Sequence, residues 1–356
     1  MHMADALVSP AVGGTMMAAG AGLILWCGRK LNRSGDDHLV PLMGVLGAFV
    51  FAVQMINFSI PLTGSSGHLG GGILLAILLG PHAAFIVIAS VLMVQALFFA
   101  DGGLLALGCN VVNLGFFPVF VAYPLICRPI VGQARGGGRL WLGAVLGAVA
   151  GLQMGSLAVV IETTMSGVSE LPFKSFVALM QPVHLVIGLV EGVATAAVAA
   201  FVLKARPTAM AGVSGVSSRW GVASFLAVAV LTAGVLSWFA STRPDGLEWA
   251  MNKITEGKEH EAPGSSVHGQ IAAVQESVTL LPGYEFRAAE GGAAVGGAEA
   301  SNESSRWPAV SAGRSVAGLV GGGLVLLISG SIGYGLRRFG ALRAGRERAH
   351  GFWKIR

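Results

Sequence analysis

The chain opens "MHMADALVSP", and the histidine in second place puts three nitrogens within reach of one ion: the amine of Met1, the backbone amide of His2 and a ring nitrogen of His2. A second residue this bulky blocks removal of the initiator methionine, so Met1 is expected to keep its free amine. The three nitrogens can close fused five- and six-membered rings on one divalent cation. A further imidazole, His68, lies in the loop "TGSSGHLGG", whose glycine-rich backbone can fold closely around something small. It would supply the fourth nitrogen of a square. Square nitrogen sets select Ni(II) or Cu(II), with Co(II) next in line, whereas Zn(II) prefers a tetrahedron and Mg(II) or Ca(II) prefer oxygens. The amide must lose its proton and the amine must be neutral, so binding is expected to weaken as pH falls. The plainer alternative makes His2 a solvated terminal residue and His68 a loop residue bonded to backbone.

Other polar residues have both a chemical and a structural reading. Gln54 and Asn57 close an apolar run directly before the His68 loop, and with Ser65 and Ser66 of that loop they are candidates to orient metal-bound groups. His184 and Glu191 are two helical turns apart on one face of an apolar run. A carboxylate there is costly and is usually functional or paired, so the two form either a polar relay or ties to residues such as Gln95, Asn110 or Asn113. His260 and His268 read as solvated loop histidines, and Cys27, Cys109 and Cys127 as packing residues, too few for a disulfide framework. There is no G-x-x-x-x-G-K-[ST] phosphate loop and no H-E-x-x-H helix, which argues against ATP hydrolysis by that loop and against a membrane zinc protease.

The elements that must position these residues are membrane helices. Of the 356 residues 54% are hydrophobic and 12% charged, about half the charge of a soluble domain. Apolar runs fall at 9–27, 41–58, 68–80, 83–100, 103–127, 139–162, 181–203, 221–240 and 315–336, each judged against the roughly 20 residues a helix needs to span. Nine spans with the amino terminus outside put "GRKLNR", "RPIVGQARGGGR" and the basic tail 338–356 in the cytoplasm, as the positive-inside rule requires. Basic residues confined to these clusters read as topology signals, so nucleic acid is not an expected partner; membrane lipid is. Arg29, Lys30 and Arg33 follow the first apolar run instead of preceding it, the reverse of a signal peptide. The expected fold is an all-α polytopic membrane protein: a seven-helix core over 1–204, a linker at 205–219, and a two-helix module over 220–337. That module encloses an outer segment, 241–314, with ten of the chain's 18 acidic residues.

Four separated stretches, "MHMADALVSP", "GVLGAFVFAVQMINFSIPLTGSSGHLGGGILLAILLGP", "VQALFFADGGLLALGCNVVNLG" and "HLVIGLVEGVATAAVAAFVL", together resemble the CbiM/NikM family over about 1–205. These are the substrate-capturing membrane components of energy-coupling-factor transporters for cobalt and nickel. The resemblance implies that Met1, His2 and His68 hold Ni(II) or Co(II) as transported substrate. It also implies that cytoplasmic ATPase subunits and a transmembrane coupling subunit complete the transporter in a bacterial cytoplasmic membrane. The chain departs from the family in placing Ala4 and Ala6 around Asp5, where Pro and Gly are frequent. "RPDGLEWA" and the helix–loop–helix layout of the second module resemble the family's small accessory component, here fused in one chain. Two readings outside transport remain open: a membrane metal sensor or store, and a membrane enzyme using Glu191 and His184 as acid and base.

Overall fold

The computed structural model describes residues 1–34, 39–132, 137–205, 219–257, 266–287 and 308–352. A short helical turn, Asp5–Leu7, leads into α1 (Pro10–Ser34), and α2 (Leu39–Gln54) returns across the bundle. A small antiparallel hairpin follows, β1 (Phe58–Ser59) with β2 (Ser66–Gly67). Next come α3 (Gly72–Leu79) and α4 (Pro81–Phe99). The following span starts as α5 (Leu107–Val111), is wound with π geometry from Val112 to Cys127, and ends as α6 (Arg128–Val131). Pro118 and Pro124 lie inside the wide turns, where each removes a backbone donor from the helical ladder. Two long helices, α7 (Gly137–Ser166) and α8 (Phe173–Ala205), finish the first module.

The second module begins with α9 (Arg219–Gly234) and ends with α12 (Ala312–Phe352). Between them lie two helices, α10 (Gly246–Thr255) and α11 (Ser266–Val278). Among the described residues six helices are long and apolar enough to cross a membrane, and Leu39–Gln54 and Gly221–Gly234 are shorter apolar helices. The protein is an all-α, multi-pass membrane protein. Several apolar runs differ in extent from the expected spans. The second ends at Gln54 instead of 58, and the third is helical only over the eight residues of α3, about 12 Å of rise. The missing length has become loop, and that loop carries His68. The last two helices of the core are longer than expected, and Glu162, near the end of α7, is buried against Asn113, 2.7 Å from its amide nitrogen.

Small residues let the helices approach closely, as they do where lipid supplies no driving force for association. On α8, a Cβ at Gly192 would stand 2.4 Å from Val145 Cα, so a glycine there lets α8 lie close against α7. The second module joins the first in the same way: at Gly44 and Gly47 of α2 a Cβ would meet the Leu326 carbonyl at 2.9 Å and Val325 at 2.8 Å, both on α12. The expected linker stretch 208–218 and the glycine-rich stretch 288–301 lie outside the described residues, as does His260.

Candidate metal site

The amino-terminal segment is buried, with Met1, Met3, Leu7 and Val8 all in the core. Its path is fixed by main-chain bonds. Asn110 Oδ1 accepts from the Met3 amide at 2.8 Å, while Asn110 Nδ2 and the Gly103 amide donate to the Met3 carbonyl at 3.2 and 2.9 Å. Asp5 Oδ1 accepts from the Ala106 amide at 3.0 Å. Asn110 sits in the first turns of a helix and Gly103 and Ala106 in the loop before it, so one end of one span holds the terminus like a strand.

The His68 loop is held by α8. A Cβ at Gly67 would meet Ile187 Cγ1 at 2.4 Å, so only glycine lets the backbone lie this close. One turn further along, Glu191 accepts from the Gly70 and Gly71 amides at 2.8 and 3.0 Å. Gly71 has φ +79°, a left-handed conformation that glycine adopts without strain. Gln54 Nε2 donates to the Gly70 carbonyl at 2.8 Å, and Gln95 donates to Gln54 at 2.9 Å.

With both segments so held, the His2 and His68 rings stack 5.0 Å apart at 15°. The second module then covers them. Ser241 bonds to the Asn57 carbonyl at 2.7 Å, and the Ser66 amide donates to the Pro244 carbonyl at 2.8 Å, so residues 241–245 run along the hairpin. Asp245 caps α10, its Oδ1 accepting from the Glu248 amide at 2.8 Å, and its Oδ2 takes the Met1 amine at 2.6 Å. Asp101 Oδ1 faces His2 Nδ1 at 3.4 Å and also accepts, through Oδ2, from the Tyr284 hydroxyl. The terminal amine and His2 Nδ1 thus each face a carboxylate.

A cavity of about 420 Å³ opens over these groups, lined by His2, His68, Asp101, Asp245, Glu248 and Arg243 among others. Burial lowers the His68 pKa to about 3, with the Met1 amine and His2 adding to the effect, and burial also lowers that of His2 against the pull of Asp101. Both imidazoles are therefore neutral near pH 7, with lone pairs free for a metal. Burial alone would raise the Asp245 carboxyl, but the Met1 amine outweighs it and holds the group well below the usual carboxylate range. Among the described residues no group of three or more His, Cys, Asp or Glu side chains is arranged to hold a metal. The terminal amine and amide are needed to complete a set.

The remaining expected residues take several roles. Gln54 touches the loop backbone; Asn57 lines the cavity, and its carbonyl holds Ser241. Ser65 bonds to Thr63, and Ser66 bonds through its hydroxyl to the Arg243 carbonyl. His184 and Glu191 do not bond to each other: His184 Nδ1 donates to the Met180 carbonyl at 2.8 Å, and Glu191 holds the loop. None of Gln95, Asn110 and Asn113 is their partner in these bonds. His268 is not a solvated loop histidine; it is buried in α11 with Nε2 3.0 Å from the Val8 carbonyl. Asp101, Asp245 and Tyr284 were missed by sequence reasoning. Asp101 lies in "ADGG" and Asp245 in "PDGLE", but nothing in the sequence says that either faces the terminus, and Tyr284 lies in no such motif.

Residues 2–209 match the family described as CbiM, cobalt uptake substrate-specific transmembrane region, and residues 219–338 match the PDGLE domain. A protein of Lactiplantibacillus plantarum described as "Probable fused nickel transport protein LarMN" is 32% identical over 287 residues, 76% of this chain and 85% of its own length. The cobalt transport protein CbiM of Sorangium cellulosum is 32% identical over 176 residues, 48% of this chain and 76% of its own. A crystal structure titled as a truncated transition metal transporter superposes with a TM-score of 0.51 at 32% identity, covering 58% of this chain and 99% of that one. The chain belongs to the CbiM family of transmembrane metal-transport components, and carries a PDGLE domain behind its CbiM region.

Proposed function

We propose that the protein is the substrate-binding component of an ATP-driven energy-coupling-factor transporter that takes up Ni(II) across a bacterial cytoplasmic membrane. The cation is held by the Met1 amine, the His2 amide and Nδ1, and His68. The observation that carries this reading is the meeting of Met1, His2 and His68 in one buried pocket beneath the cavity. Nδ1 is the ring nitrogen that closes a six-membered chelate with the His2 amide. His68 Nδ1 bonds to the Leu69 carbonyl at 3.2 Å, which leaves its Nε2 to complete the square. The relatives' printed names support nickel or cobalt as cargo; the all-nitrogen square favours nickel, with Co(II) for cobalamin synthesis as the second reading.

Loading has a definite proton balance. The cation displaces Asp245 from the amine and Asp101 from His2, and one proton leaves the amine and one the His2 amide. The core, 1–204, does the capturing; the accessory module, 220–337, faces outward with its segment 241–314 and governs access to the amine. The amino terminus lies outside and the carboxyl terminus inside. Cytoplasmic ATPase subunits and a membrane coupling subunit supply the energy that distorts the site for release inward. A non-transporting metal sensor would share the site but would not need those partners.

The test is metal binding to the purified chain against His2→Ala, His68→Ala and a chain with one residue added before Met1. Loss of a yellow, diamagnetic, stoichiometric Ni(II) complex in all three is expected. Undiminished binding by the extended chain would overturn the reading.

A further inference from the structure

The loop that carries Asp101 is shaped by both modules. Ala100 at φ +52° and Gly102 at φ +86° turn the chain after α4, and a Cβ at Gly102 would stand 3.4 Å from that of His2. From the second module, Gln275 of α11 donates to the Ala96 and Gly102 carbonyls at 2.9 Å each. The Leu280 and Leu281 amides donate to the Phe98 carbonyl at 2.9 and 3.1 Å. Residues 275–281 thus grip the end of α4 and the loop beyond it. Just after that grip comes Tyr284, whose ring stacks on Phe99 at 5.0 Å and 16° and whose hydroxyl donates to Asp101 Oδ2.

Tyr284 reaches this place through a strained backbone. Its φ is +66°, directly after Gly283 at +59°, a left-handed region that residues with a bulky side chain seldom enter. Such strain collects where a side chain must be aimed. The carboxylate it reaches has two partners: Asp101 Oδ1 faces His2 Nδ1 at 3.4 Å, and Oδ2 holds the Tyr284 hydroxyl. When Nδ1 turns to a cation, Asp101 loses His2. A carboxylate stripped of its partner in a partly buried pocket is costly, and Tyr284 leaves it one donor throughout. The hydroxyl bond therefore counts for more in the loaded protein than in the resting one.

We propose that Tyr284 is a positioning residue of the metal site, supplied by the accessory module, which holds the Asp101 carboxylate while His2 leaves it for the cation. This rests on the amino-terminal capture reading. Through Tyr284 the module takes part in capture at His2, on the opposite side of the chelate from its contact with the amine through Asp245.

The test is a set of Ni(II) titrations of the full chain, Tyr284→Phe, Asp101→Asn and the two substitutions together. The phenyl ring can keep the stacking on Phe99 and lacks only the hydroxyl. Tyr284→Phe should bind Ni(II) about tenfold more weakly, the smaller end of the worth of a hydrogen bond to a charged group, because Asp101 is 27% exposed and water makes up part of the loss. Stoichiometry and the absorption of the saturated complex should not change, since no ligand is altered. In the Asp101→Asn chain, where no charge needs holding, the same substitution should change affinity by less than about twofold. Unchanged affinity in Tyr284→Phe overturns the proposal. An equal loss in both backgrounds overturns it as well, because Tyr284 would then act through packing and not through Asp101. Full Ni(II) binding by the chain extended before Met1 would overturn the capture reading itself, by a result separate from this comparison.

Discussion

Without a cation, the Met1 amine rests on Asp245 and His2 Nδ1 on Asp101, so at the level of single residues metal and proton compete for the same nitrogens. Asp245→Asn tests this, because the amide oxygen can still cap α10 while the charge on the amine is gone. Ni(II) affinity at pH 7 should rise about tenfold, the scale of one opposite charge in contact; a metal titration of the two chains reads it. The same variant should be less stable near pH 7. A carboxyl held below its usual pKa stabilises the fold above the usual carboxylate range and loses that contribution as pH falls through its folded value. His68 works differently. Lowered from 6.5 to about 3, it stays neutral in the folded protein while the unfolded chain takes up a proton. Stability therefore rises with pH across that window, and His68→Gln should flatten the slope in thermal unfolding.

Among the elements, α8 is the rail on which the loop and the second module both rest. Gly67→Ala would drive a Cβ into Ile187, lifting the His68 loop, and nickel affinity should fall about tenfold or more, as when a ligand's support is lost. Ile187→Ala in the same chain makes room and should restore most of it; a double variant no better than Gly67→Ala would show that contact is not what seats the loop. Glu191→Ala leaves two buried amides unpaired and should cost about 1–3 kcal/mol for each, seen as a lower melting temperature. How much of this the sequence revealed depends on range. The meeting of His2 and His68, whose rings stack in the structure, was legible because one lies beside the terminal amine and the other in a glycine-rich loop. Asp245 and Asp101 were not, since they meet the terminus only when the second module folds over it. His268 was misread because short α11 sits among polar and glycine-rich residues that hide its buried face. The third apolar run looked like a span because its length was counted together with the loop that carries His68.

Across the whole molecule the fusion joins two functions that pull against each other. Residues 241–245 run along the hairpin, α12 packs on α2, and Asp245 closes on the amine, so the second module both seats the His68 loop and, in the capture mechanism proposed above, blocks the nitrogen that loading requires. If that mechanism holds, such a cover would raise the barrier to metal exchange in both directions, and loading would depend on a movement of the 241–248 turn. A chain ending before residue 219 lacks that turn and α12. Residues 2–209 match the CbiM region by themselves, and 58% of the chain superposes on a structure that it covers almost completely, which supports a shortened chain that folds alone. The shortened chain is expected to bind Ni(II) with unchanged stoichiometry and faster exchange, measured by chelator competition in stopped flow. Equal exchange rates in the two chains would mean that Asp245 holds the amine without gating it, and the fused module would then have to act elsewhere, at the contact of α12 with α2.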